Sequence, residues 1–332
     1  MKTKIAQTKG CSRLIKIEVP GEELASRLNQ VYADISKHAR IPGFRPGRIP
    51  RDLLETHYNA HAKEELIKRA IPEYYLKAVE QEKLAPVAPP EIDSVELKGH
   101  TLYFSARVDV VPEVKLRAWR KLKIIKKKIK IDSSQVEEAL GNLRQSKAKE
   151  KVLPELNDVF AKDLGFKSLD ELKEMINKNL QANAEIENRS DMERQLIDEL
   201  VKRASVDVPE SLVQSQIKEL LNQLKMQRML QGEKKEDLQA KEKELKEQAR
   251  KEAVRRVKLS FILQEIAKQE NIQPTDEDLK QRIEVIAQRS AKSSNDVRQY
   301  LERENLIPGL MQELRSRKTM DFLLKEAKVE EK

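Results

Sequence analysis

The chain has 332 residues, of which 39% are hydrophobic and 36% charged, with a net charge of +9, nine glycines and a single cysteine. One cysteine excludes an intrachain disulfide and the usual thiol-pair metal sites, and no stretch approaches the roughly 18 apolar residues of a membrane span. Length suggests two or three domains, and the Glu-, Lys-, Leu-, Gln- and Ala-rich composition beyond the first third is that of long helices.

Met1-Lys2-Thr3-Lys4 could pass for the charged start of a signal peptide, but Ile5–Lys16 lacks the required apolar run, so a cytoplasmic protein is expected. Cys11–Val19 alternates apolar and charged residues and predicts a half-buried strand that Pro20-Gly21 ends. Leu24, Leu28, Val31, Tyr32 and Ile35 then mark one helical face. Arg40–Arg51 follows, with three prolines, two glycines, four arginines and Phe44. It must be a loop, because proline lacks a donor and glycine tolerates turns. Its stiff backbone either presents Arg40, Arg45, Arg48, Arg51 and Phe44 to a partner or is a plain turn with Phe44 folded inward. After Pro50 a short helix begins at Leu53-Leu54, and Leu66, Ile67, Ala70, Tyr74, Leu76 and Val79 predict a longer one, kinked at Pro72. Beyond the proline-rich Leu84–Pro90, Ile92–Leu97 and Leu102–Val110 predict two strands about a Lys98-Gly99-His100 turn. His57 and His61 share a helical spacing, but no Cys or carboxylate completes a metal motif, so surface histidines are expected.

Gly43-Phe44-Arg45-Pro46-Gly47-Arg48-Ile49-Pro50 resembles the Gly-Phe-Arg-x-Gly-x-x-Pro signature of the trigger factor family, bacterial chaperones that dock on the ribosome beside the nascent-chain exit. The resemblance implies that Gly43, Phe44, Arg45, Pro46, Gly47, Arg48 and Pro50 form the ribosome contact, with Phe44 and Arg45 foremost. Some members carry a basic residue where this chain has Pro46, and Arg48 or Arg51 could replace that charge. It further implies an α+β ribosome-binding domain over residues 1–112, joined to a mostly α-helical C-terminal domain with protruding helical arms.

Pro112–Lys130 carries nine basic residues against Glu113 and reads as an extended connector. Arg40, Arg51, Lys126, Lys127 and Lys128 are candidate rRNA contacts, the lysines alternatively forming a solvated face. Trp119 covers a core edge or stacks on a base. Ser134-x-x-Glu137 is a capping-box pattern for a helix to about Lys149. In trigger factors a prolyl-isomerase domain of about 100 residues follows. Here Leu116–Leu153 holds one aromatic residue and one glycine, too little for its apolar pocket. Residues 113–150 are therefore read as basic linker and helix, residues 151–332 as chaperone body and arms, and the isomerase domain as absent.

Ser168-x-x-Glu171 caps a long helix to about Ala204, Asp207-Val208-Pro209 breaks it, and Val213, Ile217, Leu220, Leu221, Leu224 and Met229 face one side of the next. From Glu233 to Arg256 sixteen of twenty-four residues are charged, and Leu238, Leu245, Ala249 and Ala253 leave a seam wide enough for one partner helix. The expectation is a protruding hairpin bent at Gly232, against a freely solvated charged helix. Val254–Ile266 is apolar almost all round and should be buried. Helices opening at Pro274-Thr275, Ser294 and Ile307-Pro308-Gly309 complete the chain, and polar Glu326–Lys332 should fray. The order resembles the trigger factor body and also the helical core of the periplasmic chaperone SurA.

No Gly-rich phosphate loop, Ser/His/Asp set or paired-carboxylate pocket can be placed, which points to a binding protein without metal or cofactor. The resemblance implies an ATP-independent chaperone that is not an enzyme. Its partners would be the large ribosomal subunit, through an exit-tunnel protein and rRNA, unfolded nascent polypeptides and, weakly, a second copy of itself, with no membrane. Met226 and Met229 would hold client chains, or else pack inside the hairpin. The alternative is an RNA- or ribosome-binding assembly factor without chaperone activity.

Overall fold

The computed structural model describes residues 1–8, 10–45, 47–147, 154–233 and 241–332. Pro46 and Leu238, both assigned roles above, and the helix end near Lys149 lie outside the described residues. Two units share the chain, the first built from Met1–Lys115 and Ser205–Phe261, the second from Leu116–Ala204 and Ile262–Lys332.

In the first unit, strands β1 (Lys2–Gln7), β2 (Ser12–Val19), β3 (Glu91–Lys98) and β4 (Thr101–Asp109) form an antiparallel sheet in the order β1-β2-β4-β3. The register pairs Ile15 with Ala106, Ile17 with Phe104 and Val19 with Leu102, and with a side-chain period of two this puts all six on one face. Helices α1 (Gly21–His38) and α2 (Arg51–Gln81) bury that face with Leu24, Val31 and Tyr32 from one and Leu54, Leu66, Ala70 and Tyr74 from the other. The predicted short and long helices after Pro50 are one helix with Pro72 inside it. β1 was not anticipated: its lysines hide the strand until β2 supplies a partner edge.

Short strand β5 (Val114–Leu116) follows, and farther along the chain come β7 (Ala204–Val206) and helices α6 (Glu210–Leu230) and α7 (Glu242–Gln269). Val213, Ile217 and Leu220 pack against Ala249, Ala253, Val257 and Phe261, a hairpin seam in which two alanines let the backbones approach closely. Ion pairs between the two helices accompany their antiparallel packing, Glu210 with Arg250 at 2.8 Å and Lys225 with Glu242 at 2.8 Å. The hairpin therefore forms rather than a freely solvated helix. Asp109 at the end of β4 accepts the Ser211 N–H at 2.9 Å, so a sheet residue caps α6.

The second unit holds β6 (Lys123–Lys126), α3 (Ser133–Ser146), α4 (Asp158–Asp163), α5 (Leu169–Arg203), α8 (Asp276–Ser290), α9 (Ser294–Arg303), α10 (Ile307–Glu326) and β8 (Lys328–Glu331). The capping box of α3 is Asp132 with Gln135, not Ser134 with Glu137, and α9 is capped by Ser293 rather than Ser294. Ser168 caps α5 and Thr275 caps α8 as the sequence indicated. The tail does not fray: β8 pairs in parallel with β6, with Ile124 opposite Val329. The other edge of β6 is closed by two carboxamides of α5. Gln195 accepts from Ile125 N–H at 2.8 Å and donates to its carbonyl at 2.9 Å, and Asn188 does the same for Lys127 at 3.1 and 2.7 Å. Trp119 is buried at a core edge 6.4 Å from the Phe322 ring, which removes it from base stacking.

Candidate functional site

The segment between α1 and α2 is closed by two tight turns. Phe44 N–H donates to the Ile41 carbonyl at 3.1 Å around Pro42-Gly43, with Gly43 at φ +85°, the type II arrangement that takes proline second and a positive φ third. Arg48 N–H donates to the Arg45 carbonyl at 3.0 Å, and Gly47 lies at φ +83°. Nothing stands within 4 Å of the Cβ either glycine lacks, so backbone conformation, not space, demands glycine at both.

Both feet of the loop are anchored. Gly47 N–H donates to the Ser36 carbonyl of α1 at 2.7 Å, and the Tyr58 hydroxyl of α2 accepts from Arg40 N–H at 3.2 Å. Ala39 and Ile49 are buried at the two ends. Between these anchors Phe44 is 42% exposed, which excludes the inward-folded alternative. Neither Ser36 nor Tyr58 was singled out from sequence; their spacing marks only helix faces.

The arginines divide into two kinds. Arg40, Arg45 and Arg48 are exposed and make no ion pair among the described residues. Arg51 is engaged: its guanidinium lies 3.6 Å over the Tyr32 ring and its Nε bonds Glu55 at 2.6 Å. Nearby, Arg69 and then Lys37 hold the Asp34 carboxyl down to about 2, so that carboxylate is satisfied locally and does not neutralise the loop. Three unpaired guanidiniums and one exposed aromatic ring suit a surface of phosphates and apolar protein.

The three lysines belong to the second unit. Lys127 bonds Asp191 at 2.7 Å, and that bond lowers the Asp191 pKa. Lys126 stands 3.9 Å from Glu331, and only the Lys128 ammonium makes no ion pair among the described residues. On the hairpin, Met226 and Met229 are 61% and 48% exposed and Leu230 is 83% exposed, so the methionines are not packed in the seam. Burial, then the Asp109 charge, pushes the Cys11 thiol up and keeps it protonated. Among the described residues no group of three or more His, Cys, Asp or Glu is placed to hold a metal ion, and no helix is long and apolar enough to cross a membrane.

Two family profiles match the chain, bacterial trigger factor protein over residues 1–143 and bacterial trigger factor protein C-terminus over residues 168–325. A trigger factor of Geotalea daltonii is 27% identical over 365 residues, covering 81% of this chain and 83% of that protein. That alignment is longer than the 332-residue chain it only partly uses, so the relative carries residues with no counterpart here. A trigger factor of Geobacter sp. is 33% identical over 156 residues, covering 47% of this chain and 36% of that protein. A solved trigger factor chaperone, described for promiscuous substrate recognition in folding and assembly, superposes with a TM-score of 0.61 at 19% identity over 98% of this chain and 100% of its own.

Proposed function

The chain belongs to the bacterial trigger factor family, and from that premise we propose that it is a ribosome-associated, ATP-independent chaperone that holds newly made polypeptides. Residues 1–112 serve as the ribosome-binding domain, 113–150 as linker and helix, and 151–332 as chaperone body and arms, in the cytoplasm. The observation that carries the docking role is Phe44, 42% exposed and followed by Arg45 and Arg48, which make no ion pair among the described residues, on a loop braced at both feet. Gly43, Gly47 and Pro50 shape that loop, Pro46 joins the contact by its place in the signature sequence, and Arg40 extends the charge toward rRNA phosphates. Arg51, already satisfied by Glu55, is the weaker contact. The exposed Met226 and Met229 hold clients, because thioethers adapt to many shapes.

The protein lacks the family's prolyl-isomerase domain and is not an enzyme. This reading is supported by the unmatched residues 144–167, fewer than the roughly 50 that a domain needs. The RNA-factor alternative loses ground because Lys126 and Lys127 spend their charge on Glu331 and Asp191.

Phe44→Ala combined with Arg45→Ala should abolish co-sedimentation with intact ribosomes while circular dichroism stays unchanged. Undiminished co-sedimentation would remove the loop from the interface.

A further inference from the structure

Two tyrosines of α2 reach across to the backbone at opposite ends of α1. The Tyr74 hydroxyl donates to the Glu23 carbonyl at 3.2 Å, in the first turn of α1. Tyr58 acts at the other end, on the first residue of the docking loop beyond the buried Ala39. Its hydroxyl accepts from the Arg40 N–H at 3.2 Å and donates to the Arg40 carbonyl at 3.4 Å. Those two groups belong to successive peptide planes, so one hydroxyl orients both. The Tyr58 ring is half-buried beside a cleft of about 420 Å³ lined by Val31, Ile35, His38 and His61, and packing on one side does not by itself set where the hydroxyl points.

We propose that Tyr58 aims Phe44 at the ribosome, a positioning role that rests on the docking reading above. The path from hydroxyl to phenyl ring is short and stiff. Ile41 precedes a proline and is held to extended backbone, Pro42 has its φ fixed by its ring, and Gly43 completes the turn in which the Phe44 N–H returns to the Ile41 carbonyl at 3.1 Å. An Arg40 backbone held in one orientation therefore holds Phe44 in one direction. The other foot, Gly47 N–H on the Ser36 carbonyl, joins main chain to main chain and becomes a hinge once the Tyr58 bonds are lost. Both Tyr58 bonds face solvent. Water can replace the hydroxyl and preserve the fold, but it does not preserve direction, so the loop would have to be ordered on contact.

The test is a co-sedimentation titration of the full chain with intact ribosomes. Tyr58→Phe keeps the ring, removes both bonds and should weaken docking about five- to tenfold. Hydrogen exchange of the Arg40 and Phe44 amides should accelerate, with the melting temperature unchanged. Tyr74→Phe is the control: it removes a part-buried hydroxyl bond between the same two helices, away from the loop, and should leave docking and both amides as they were even if it lowers the melting temperature. Equal losses of docking in the two variants would make Tyr58 a general support of the helix pair and overturn the positioning role. Unchanged docking by Tyr58→Phe overturns it too, and the docking reading then stands alone if Phe44→Ala with Arg45→Ala abolishes co-sedimentation. If that double variant also binds undiminished, both fall.

Discussion

Gly43 shows how much of the loop depends on one backbone angle. At φ +85° an alanine would meet no neighbour, so the cost of replacing it is conformational, about 1 kcal/mol or somewhat more. Gly43→Ala should therefore speed hydrogen exchange of the Phe44 amide and weaken ribosome co-sedimentation, with helical content intact. An unaltered exchange rate would show that the turn is not what presents Phe44. The residue types at this site were legible in the sequence, because Pro42-Gly43 and Arg45-x-Gly47 announce turns. What remained open was the direction of Phe44, which depends on Ala39, Ile49 and Tyr58 filling the space beneath the loop. Arg51 was equally opaque: its fourth-residue spacing to Glu55 is visible, but its place over Tyr32 requires two helices to meet.

Among elements, the α8 terminus gives a prediction with a definite sign. Lys318 first, and then the Thr275 N–H and hydroxyl, hold the Asp278 carboxyl at about 2, below its ordinary 3.8. Because the folded value is the lower one, this carboxylate stabilises the fold above about pH 4, and the contribution disappears as pH falls through about 2. Asp278→Asn should flatten the acid-side fall in melting temperature across that window, and a melting curve parallel to that of the unsubstituted protein would refute the linkage. Asn188 tests the clasp on β6. It is buried, and Asn188→Ala would orphan the N–H and carbonyl of Lys127, costing about 2 kcal/mol in urea unfolding. Helix starts were readable from Ser168 and Thr275 because a cap is local chemistry. Strands β1 and β8 were not, since Lys-Thr-Lys and Lys-Val-Glu-Glu carry no strand signal until a neighbour offers its unpaired edge.

For the whole molecule, the proposed absence of a prolyl-isomerase domain gives the broadest prediction: the protein should leave the cis/trans relaxation of a proline peptide at its uncatalysed rate, tens to hundreds of seconds at 25 °C. Acceleration would mean that residues 113–167 do chemistry their composition does not reveal. The class of architecture, a small α+β unit and long helices, followed from composition and periodicity. The grouping of distant stretches did not, because it comes from pairs such as Asp109 with Ser211 that no window of sequence contains. That same grouping bears on how the protein is made. Synthesis runs in one direction, yet each unit waits for a second stretch of chain, and β6 waits for β8. Such closures are of high contact order and therefore slow. Early in its own translation, the chain must pass through the exposed, half-assembled condition from which it protects others.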